Sequence, residues 1–192
     1  FLSTHKIDKG VMTLVDEARQ FELLAALDSH HVKRSCGGSA CNTIVAASCF
    51  GSSGFYSAKV AADDDGQFFI KDLQATGVDF QNTVANASAS MSASITGKCL
   101  VMITDDAERT MNTFLGASLE LTSDEIDEAS LISSEWLYLE GYLVTDDART
   151  DAALKAMELA KANQVKTSLS LSDPFVVQVF GDNLCKVIGD GI

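Results

Sequence analysis

Basic charge is what this chain lacks most: 14 lysine and arginine residues stand against 27 aspartate and glutamate, a formal net charge of −13. No basic stripe is present to pair with phosphates, which excludes a nucleic-acid-binding surface. An anionic substrate would have to be held by local donors rather than by the overall field. No apolar run is long enough to span a bilayer, so no membrane partner is expected. Five cysteines (Cys36, Cys41, Cys49, Cys99, Cys185) include no C-x-x-C pair. They read as reduced thiols, and with no secretory segment at the start the expected location is the cytoplasm. The G-x-x-x-x-G-K-[ST] and G-x-G-x-x-G phosphate loops are both absent. His5, His30 and His31 have no metal-like partner set and read as surface residues, so no metal site is assigned.

What is present is an alternation of helix and strand signals. Thr13-x-x-Asp16 resembles a capping pair, followed by Ala18, Phe21, Leu24 and Ala25 at helical spacing. A helix over Ile44–Phe50 ends near Gly51. Gly54–Ala61 reads as a short strand, and Asp63-Asp64-Asp65-Gly66 opens a helix that stops near Thr76-Gly77. The alanine- and serine-rich stretch Ala85–Ser94, the strand Lys98–Thr104 and an extended piece around Arg109–Phe114 read together as a β-ribbon or flap, with a disordered linker as the alternative. Thr122-x-x-Glu125 is a capping box expected to open a helix through Ile132. A strand at Trp136–Leu139 ends at Glu140-Gly141-Tyr142. Next come a helix over Ala148–Asn163, a strand over Val165–Leu171, and a last helix with Pro174, the single proline, in its first turn. Strands separated by such helices imply parallel βαβ units and a three-layer α/β architecture.

The run Gly37-Gly38-Ser39-Ala40-Cys41-Asn42 is the richest local signal. Two glycines let the backbone turn tightly and approach a ligand with no Cβ in the way. The helix that follows offers unpaired N–H groups and the positive end of its dipole. Asn42, one turn in, brings two donors and an acceptor to the same corner. Such a corner suits a hydroxyl-rich ligand; the alternative is a turn entering a buried helix. Ligands in open α/β sheets bind beyond the carboxyl ends of the strands. The Glu140-Gly141-Tyr142 and Ser172-Asp173-Pro174 turns belong there too. Glu140 reads either as a paired structural acid or as a site residue. Arg109 reads as a solvated charge or as an anion clamp.

Gly37-Gly38-Ser39-x-x-Asn42, followed by Ala58-Lys59-Val60-Ala61-Ala62-Asp63-Asp64-Asp65-Gly66, resembles the first signature of the ribokinase-like (PfkB) sugar and nucleoside kinases. Glu108–Ala117 and Ser170–Phe175 are most similar to the adenosine-kinase branch. The resemblance implies a ribokinase-like three-layer α/β sandwich with a largely parallel sheet. Residues 1–192 would form part of that domain, and 85–118 the main lid segment inserted in it. It implies transfer of the γ-phosphoryl of ATP, with Mg²⁺, to a hydroxymethyl group of a small-molecule sugar or nucleoside. Gly37, Gly38, Ser39 and Asn42 would hold ribose hydroxyls, Arg109 would lie over the reacting end, and Tyr142 would pack against the substrate. Monomer and homodimer both occur in the family. The family's first-strand aspartate, its Gly-x-Gly-Asp anion hole with the catalytic aspartate and its Asn-x-x-Glu motif have no counterpart among these residues. Ala61 and Ala62 stand where the family often has glycine. The chain therefore reads as a fragment, inactive alone, of a sugar or nucleoside kinase. Two alternatives are a truncated paralogue that binds a nucleoside or a protein without catalysis, and a dinucleotide-dependent oxidoreductase, which lacks its glycine fingerprint.

Overall fold

The structure is a computed structural model and describes residues 1–27, 32–80, 83–84 and 95–189. His30 and His31, with the whole of the alanine–serine stretch Ala85–Ser94, lie outside the described residues.

Strand β1 (Met12–Leu14) leads into helix α1 (Glu17–Ala26), capped by Asp16, whose carboxylate accepts from the Arg19 N–H at 2.8 Å. The expected capping pair is thus half right: Asp16 is the cap, while Thr13 lies in a strand. Helix α2 (Ser39–Cys49) starts five residues earlier than its apolar run and closes at Phe50, before Gly51. The single strand expected next is two, β2 (Gly54–Tyr56) and β3 (Lys59–Val60). Helix α3 (Asp64–Ala75) begins at the aspartate cluster, where the Asp63 side chain accepts from Gly66 N–H at 2.7 Å. Gly77 (φ +83°) turns the chain from it into β4 (Val78–Phe80).

After β5 (Thr83–Val84), β6 (Lys98–Ile103) and β7 (Arg109–Phe114) form an antiparallel hairpin. Beyond a 3-10 turn at Gly116–Glu120, the capping box at Thr122 and Glu125 is present, but it closes a second 3-10 turn, Ser123–Glu125. The helix expected there restarts as α4 (Glu128–Ile132) under its own cap, Asp127. Extended backbone at Ile126 and Asp127 separates the two pieces. Strand β8 (Trp136–Glu140), a 3-10 turn at Gly141–Thr145, α5 (Asp147–Ala162) and β9 (Lys166–Ser170) follow in the expected order. The last helix is divided into α6 (Pro174–Val179) and α7 (Gly181–Gly189) at Phe180.

Among the described residues the strand pairs β1–β7, β2–β4, β3–β5 and β8–β9 are parallel and β6–β7 is antiparallel. This is the pairing expected of βαβ crossovers. The ladder is cut into four short sheets among the described residues, one of three strands and three of two. Apolar clusters hold them. Leu139, Val144, Met157, Val176, Leu184 and Val187 pack where α5, α6 and α7 cover β8. Cys41, Leu73, Val78 and Phe80 lie between α2, α3 and β4. Ile7, Leu23 and Leu100 join α1 to the hairpin. No helix of the described residues is long and apolar enough to cross a membrane.

Candidate functional site

The glycine corner is open. Gly38 carries φ +101°, a conformation that an L side chain rarely adopts, and it caps α2 with no side-chain hydrogen bond. A Cβ at Gly37 or Gly38 would meet nothing within 4 Å, so both glycines face free space. Asn42 N–H donates to the Gly38 carbonyl at 2.8 Å, and the Asn42 side chain stays exposed one turn into the helix. The corner thus has backbone donors and one amide around an unfilled volume.

The approach to it is anchored from α3. Cys36 N–H donates to an Asp72 carboxylate oxygen at 2.7 Å, and Arg34 pairs with Asp65 at 2.9 Å with its guanidinium over the Phe68 ring. Cys41 is fully buried below the corner. Burial pushes its thiol up to about 12, helped by the neighbouring Cys36 and Asp72. Burial, with the hydrogen bond to Asp72, raises Cys36 as well. Both thiols stay protonated at neutral pH, so they pack rather than react.

The aspartate cluster is structural. Asp63 accepts from the Thr96 hydroxyl at 2.6 Å and the Thr96 N–H at 2.9 Å as well as from Gly66. Burial alone would raise its carboxyl, but these hydrogen bonds and Lys98 outweigh it and hold the group below its ordinary value. Lys98 reaches Asp65 at 2.6 Å. Among the described residues no three acidic, histidine or cysteine side chains converge as a metal cage requires.

At the carboxyl end of β8, Glu140 is buried and acts as a paired acid. Its two oxygens accept from the Tyr138 hydroxyl at 2.8 Å and the Ser172 hydroxyl at 2.6 Å. Gly141 is required by close approach, since a Cβ there would lie 2.9 Å from the Leu171 and Ser170 carbonyls. Tyr142 begins the next turn, partly exposed. Its hydroxyl is raised by burial and by the charges of Asp173 and Glu140. Tyr56, raised by burial, also feels Cys41, Glu140 and Cys36. Helix α2 packs on β8, and Tyr56 feels Cys36 and Cys41 of the corner together with Glu140 of the β8 end. An open depression of about 380 Å³ lies on the adjoining turn, lined by Leu171, Ser172, Asp173, Pro174, Val177 and Gln178.

Arg109 is elsewhere. It opens β7, exposed, across from Ile103, and its N–H donates to its neighbour Glu108 at 3.2 Å. The sequence reading missed the surface beside it. Register aligns Met12, Met111 and Val101, then Leu14, Thr113 and Cys99, on one face of the three-stranded sheet. On that face Ile103 is 70% exposed, whereas Leu100 on the opposite face is 9% exposed. The signal was there: Lys98–Ile103 is apolar at both parities of the strand, where a one-sided sheet would alternate.

Relatives match this arrangement along its whole length. Adenosine kinase from Saccharomyces cerevisiae is 28% identical over 196 residues, covering 98% of this chain and 55% of its own length. A 5-dehydro-2-deoxygluconokinase from Halalkalibacterium halodurans is 29% identical over 137 residues, 70% of this chain and 40% of its own. The crystal structure of adenosine kinase from Sinorhizobium meliloti superposes with a TM-score of 0.86 at 34% identity, covering all of this chain and 56% of that one. A probable sugar kinase from Rhizobium etli gives 0.87 at 30% identity over the same shares. The chain therefore spans about half the length of these relatives, and its fold is the ribokinase-like α/β fold they share. The pfkB family carbohydrate kinase model matches residues 6–190, and the chain belongs to that family.

Proposed function

We propose that this chain supplies the acceptor side of an ATP-dependent kinase that phosphorylates a hydroxymethyl group of a ribonucleoside or sugar, with a ribonucleoside preferred. The open corner at Gly37–Asn42 carries the reading. Its first-turn N–H groups and the Asn42 amide match vicinal hydroxyls, which donate and accept at once. Gly37, Gly38, Ser39 and Asn42 hold the ribose in this reading, and Tyr142 closes the pocket beside the β8 end. Arg109 sits on the segment 85–118, which acts as a lid. The lid's exposed apolar face, with Met12, Leu14, Val101 and Ile103, offers an aromatic base a dry surface. A lid that closes excludes water, which would otherwise compete for the phosphoryl group.

ATP would supply the phosphoryl group and Mg²⁺ would neutralise its charge. No residue described here forms a site for either, so no step is assigned to them on this chain. The carboxylate that accepts the hydroxyl proton is assigned to none of residues 1–192. Because the chain covers about half of its relatives, the stretch alone binds the acceptor without transferring phosphate.

The test is a calorimetric titration of the 192-residue chain with adenosine, ribose and fructose, followed by an ATP-consumption assay. Adenosine binding that is lost in Asn42→Ala, with no ATP turnover, supports the reading. Turnover by the stretch alone overturns the assignment of the catalytic group. Binding that ignores Asn42→Ala removes the corner from the site.

A further inference from the structure

Glu140 has a role beyond filling the core. We propose that Glu140 is a positioning residue that locks the turn after β9 in its binding shape, by holding Ser172 in the left-handed region. The inference rests on the acceptor-site reading above and deepens it.

Ser172 is one of four non-glycine residues with positive φ among those described, at +65°. That conformation is unfavourable for an L residue and persists only where surrounding contacts over-determine it. Here the contacts are visible. The Ser172 hydroxyl donates to Glu140 Oε2 at 2.6 Å, a short hydrogen bond to a carboxylate. The Ser172 N–H donates to Ser170 Oγ at 3.1 Å, and Asp173 N–H to the Leu171 carbonyl at 3.0 Å. Asp173 then caps α6 by accepting from Phe175 N–H at 2.8 Å.

Glu140 itself cannot swing away. Tyr138 donates to its other oxygen, and the residue is 7% exposed. The next residue, Gly141, abuts the Leu171 and Ser170 carbonyls, so the ends of β8 and β9 are locked together at backbone distance. Neither donor to Glu140 is a cation. Among the described residues the donors to Glu140 are neutral hydroxyls, a poor choice for stability, since a buried charge gains most from an opposite charge. Its service is geometric: one rigid acceptor sets the serine, the serine sets the turn, and the turn lines the depression and carries Asp173, whose charge reaches the Tyr142 hydroxyl.

Amide hydrogen exchange and adenosine titration on the 192-residue chain test this with Glu140→Ala, Glu140→Gln and the double variant Glu140→Ala with Ser172→Gly. Glycine adopts φ +65° without an anchor. Glu140→Ala should raise exchange in 170–176 about tenfold and weaken adenosine about tenfold, a shift of about 1.4 kcal/mol. Adding Ser172→Gly should return the affinity to within about twofold of the parent, because only the strain needed the anchor. Glu140→Gln, which can still bond both partners, should fall between and stands in if the alanine variant fails to fold. Unchanged exchange in Glu140→Ala overturns the proposal. So does weakened binding that Ser172→Gly leaves unrescued, which would make Glu140 a ligand contact. If the parent binds no nucleoside while the exchange pattern follows expectation, the positioning role stands and the kinase reading fails.

Discussion

Strands β6 and β8 are each apolar but for one charged residue, Lys98 and Glu140, and the molecule treats them differently. On β8, Leu137 and Leu139 face the cluster under α5, α6 and α7, while Tyr138 and Glu140 lie on the face toward α2. On β6, Leu100 and Met102 pack against α1, while Val101 and Ile103 face open space. Burial on both faces at its carboxyl end, where Leu139 and Glu140 are both buried, makes that end of β8 the part that holds shape. Burial on one face leaves the β6–β7–β1 sheet with exposed apolar surface. A packed region and an open one are thus separated along one chain, as the proposed acceptor site with its lid requires.

The largest expected effect breaks the seam between the two regions. Lys59 Nζ on β3 donates to Glu125 at 2.8 Å and to the Glu120 carbonyl at 2.9 Å, tying β3 to the two 3-10 turns that follow the β6–β7 hairpin. Both side chains are mostly buried. Lys59→Met leaves the Glu125 carboxylate without its cation and should cost about 3–5 kcal/mol in a urea melt. A loss below about 1 kcal/mol would mean that solvent already screens the pair. The same pair sets a pH dependence. Burial would raise the Glu125 carboxyl, but Lys59 and Thr122 hydrogen bonds outweigh it and lower the group below its ordinary 4.5. A depressed carboxyl stabilises the fold above its unfolded value and loses that contribution as the pH drops through the folded value. Urea midpoints should therefore hold from pH 7 to about 5 and fall below pH 4.5, with a shallower acid fall in Glu125→Gln.

Next in size is the contrast between the strands themselves. Leu139→Ala removes a side chain that is 6% exposed and should cost about 2–5 kcal/mol. Ile103→Ala, at a site 70% exposed, should stay within about 0.5 kcal/mol. If Ile103 serves the proposed lid face, its variant should nonetheless weaken adenosine. Equal stability losses at the two positions would erase the distinction between a packed and an open region.

Much of this division was legible in the sequence. Caps written in aspartate and proline located α1, α3, α5 and α6, because a side-chain acceptor at a helix start is a local device that spacing reveals. The glycine corner was legible too, since Gly38 needs a backbone conformation that few other residues supply. What escaped depends on distant partners. The segment after Thr122 carries a sound capping box, yet a 3-10 turn, a break at Ile126 and a second cap were built there, and Lys59 from far up the chain holds Glu125. Glu140 left two roles open in the sequence because its Ser172 partner is 32 residues away. The open apolar face became visible only with the register that aligns Met12, Met111 and Val101.

The smallest effect lies under the β1–β7–β6 sheet, and it sharpens the contrast by asking how well that sheet's covered face is packed. Gln20 on α1 and Asn112 on β7 are each 3% exposed. Both polar atoms of the Gln20 side chain and the Asn112 Nδ2 have no hydrogen-bond partner among the described residues. Gln20 lies one helical turn before Leu23, and Asn112 pairs in register with Leu100, so the two amides belong to the layer where Leu23 and Leu100 meet. A buried amide without partners costs about 1–3 kcal/mol, more than the packing of its methylenes returns. Gln20→Met keeps the length and removes the unsatisfied atoms. It should raise stability by about 1 kcal/mol, read as a higher urea midpoint at unchanged slope. A loss instead would mean that the Gln20 amide is satisfied in solution, and the covered face of that sheet would then be as well satisfied as the core under β8.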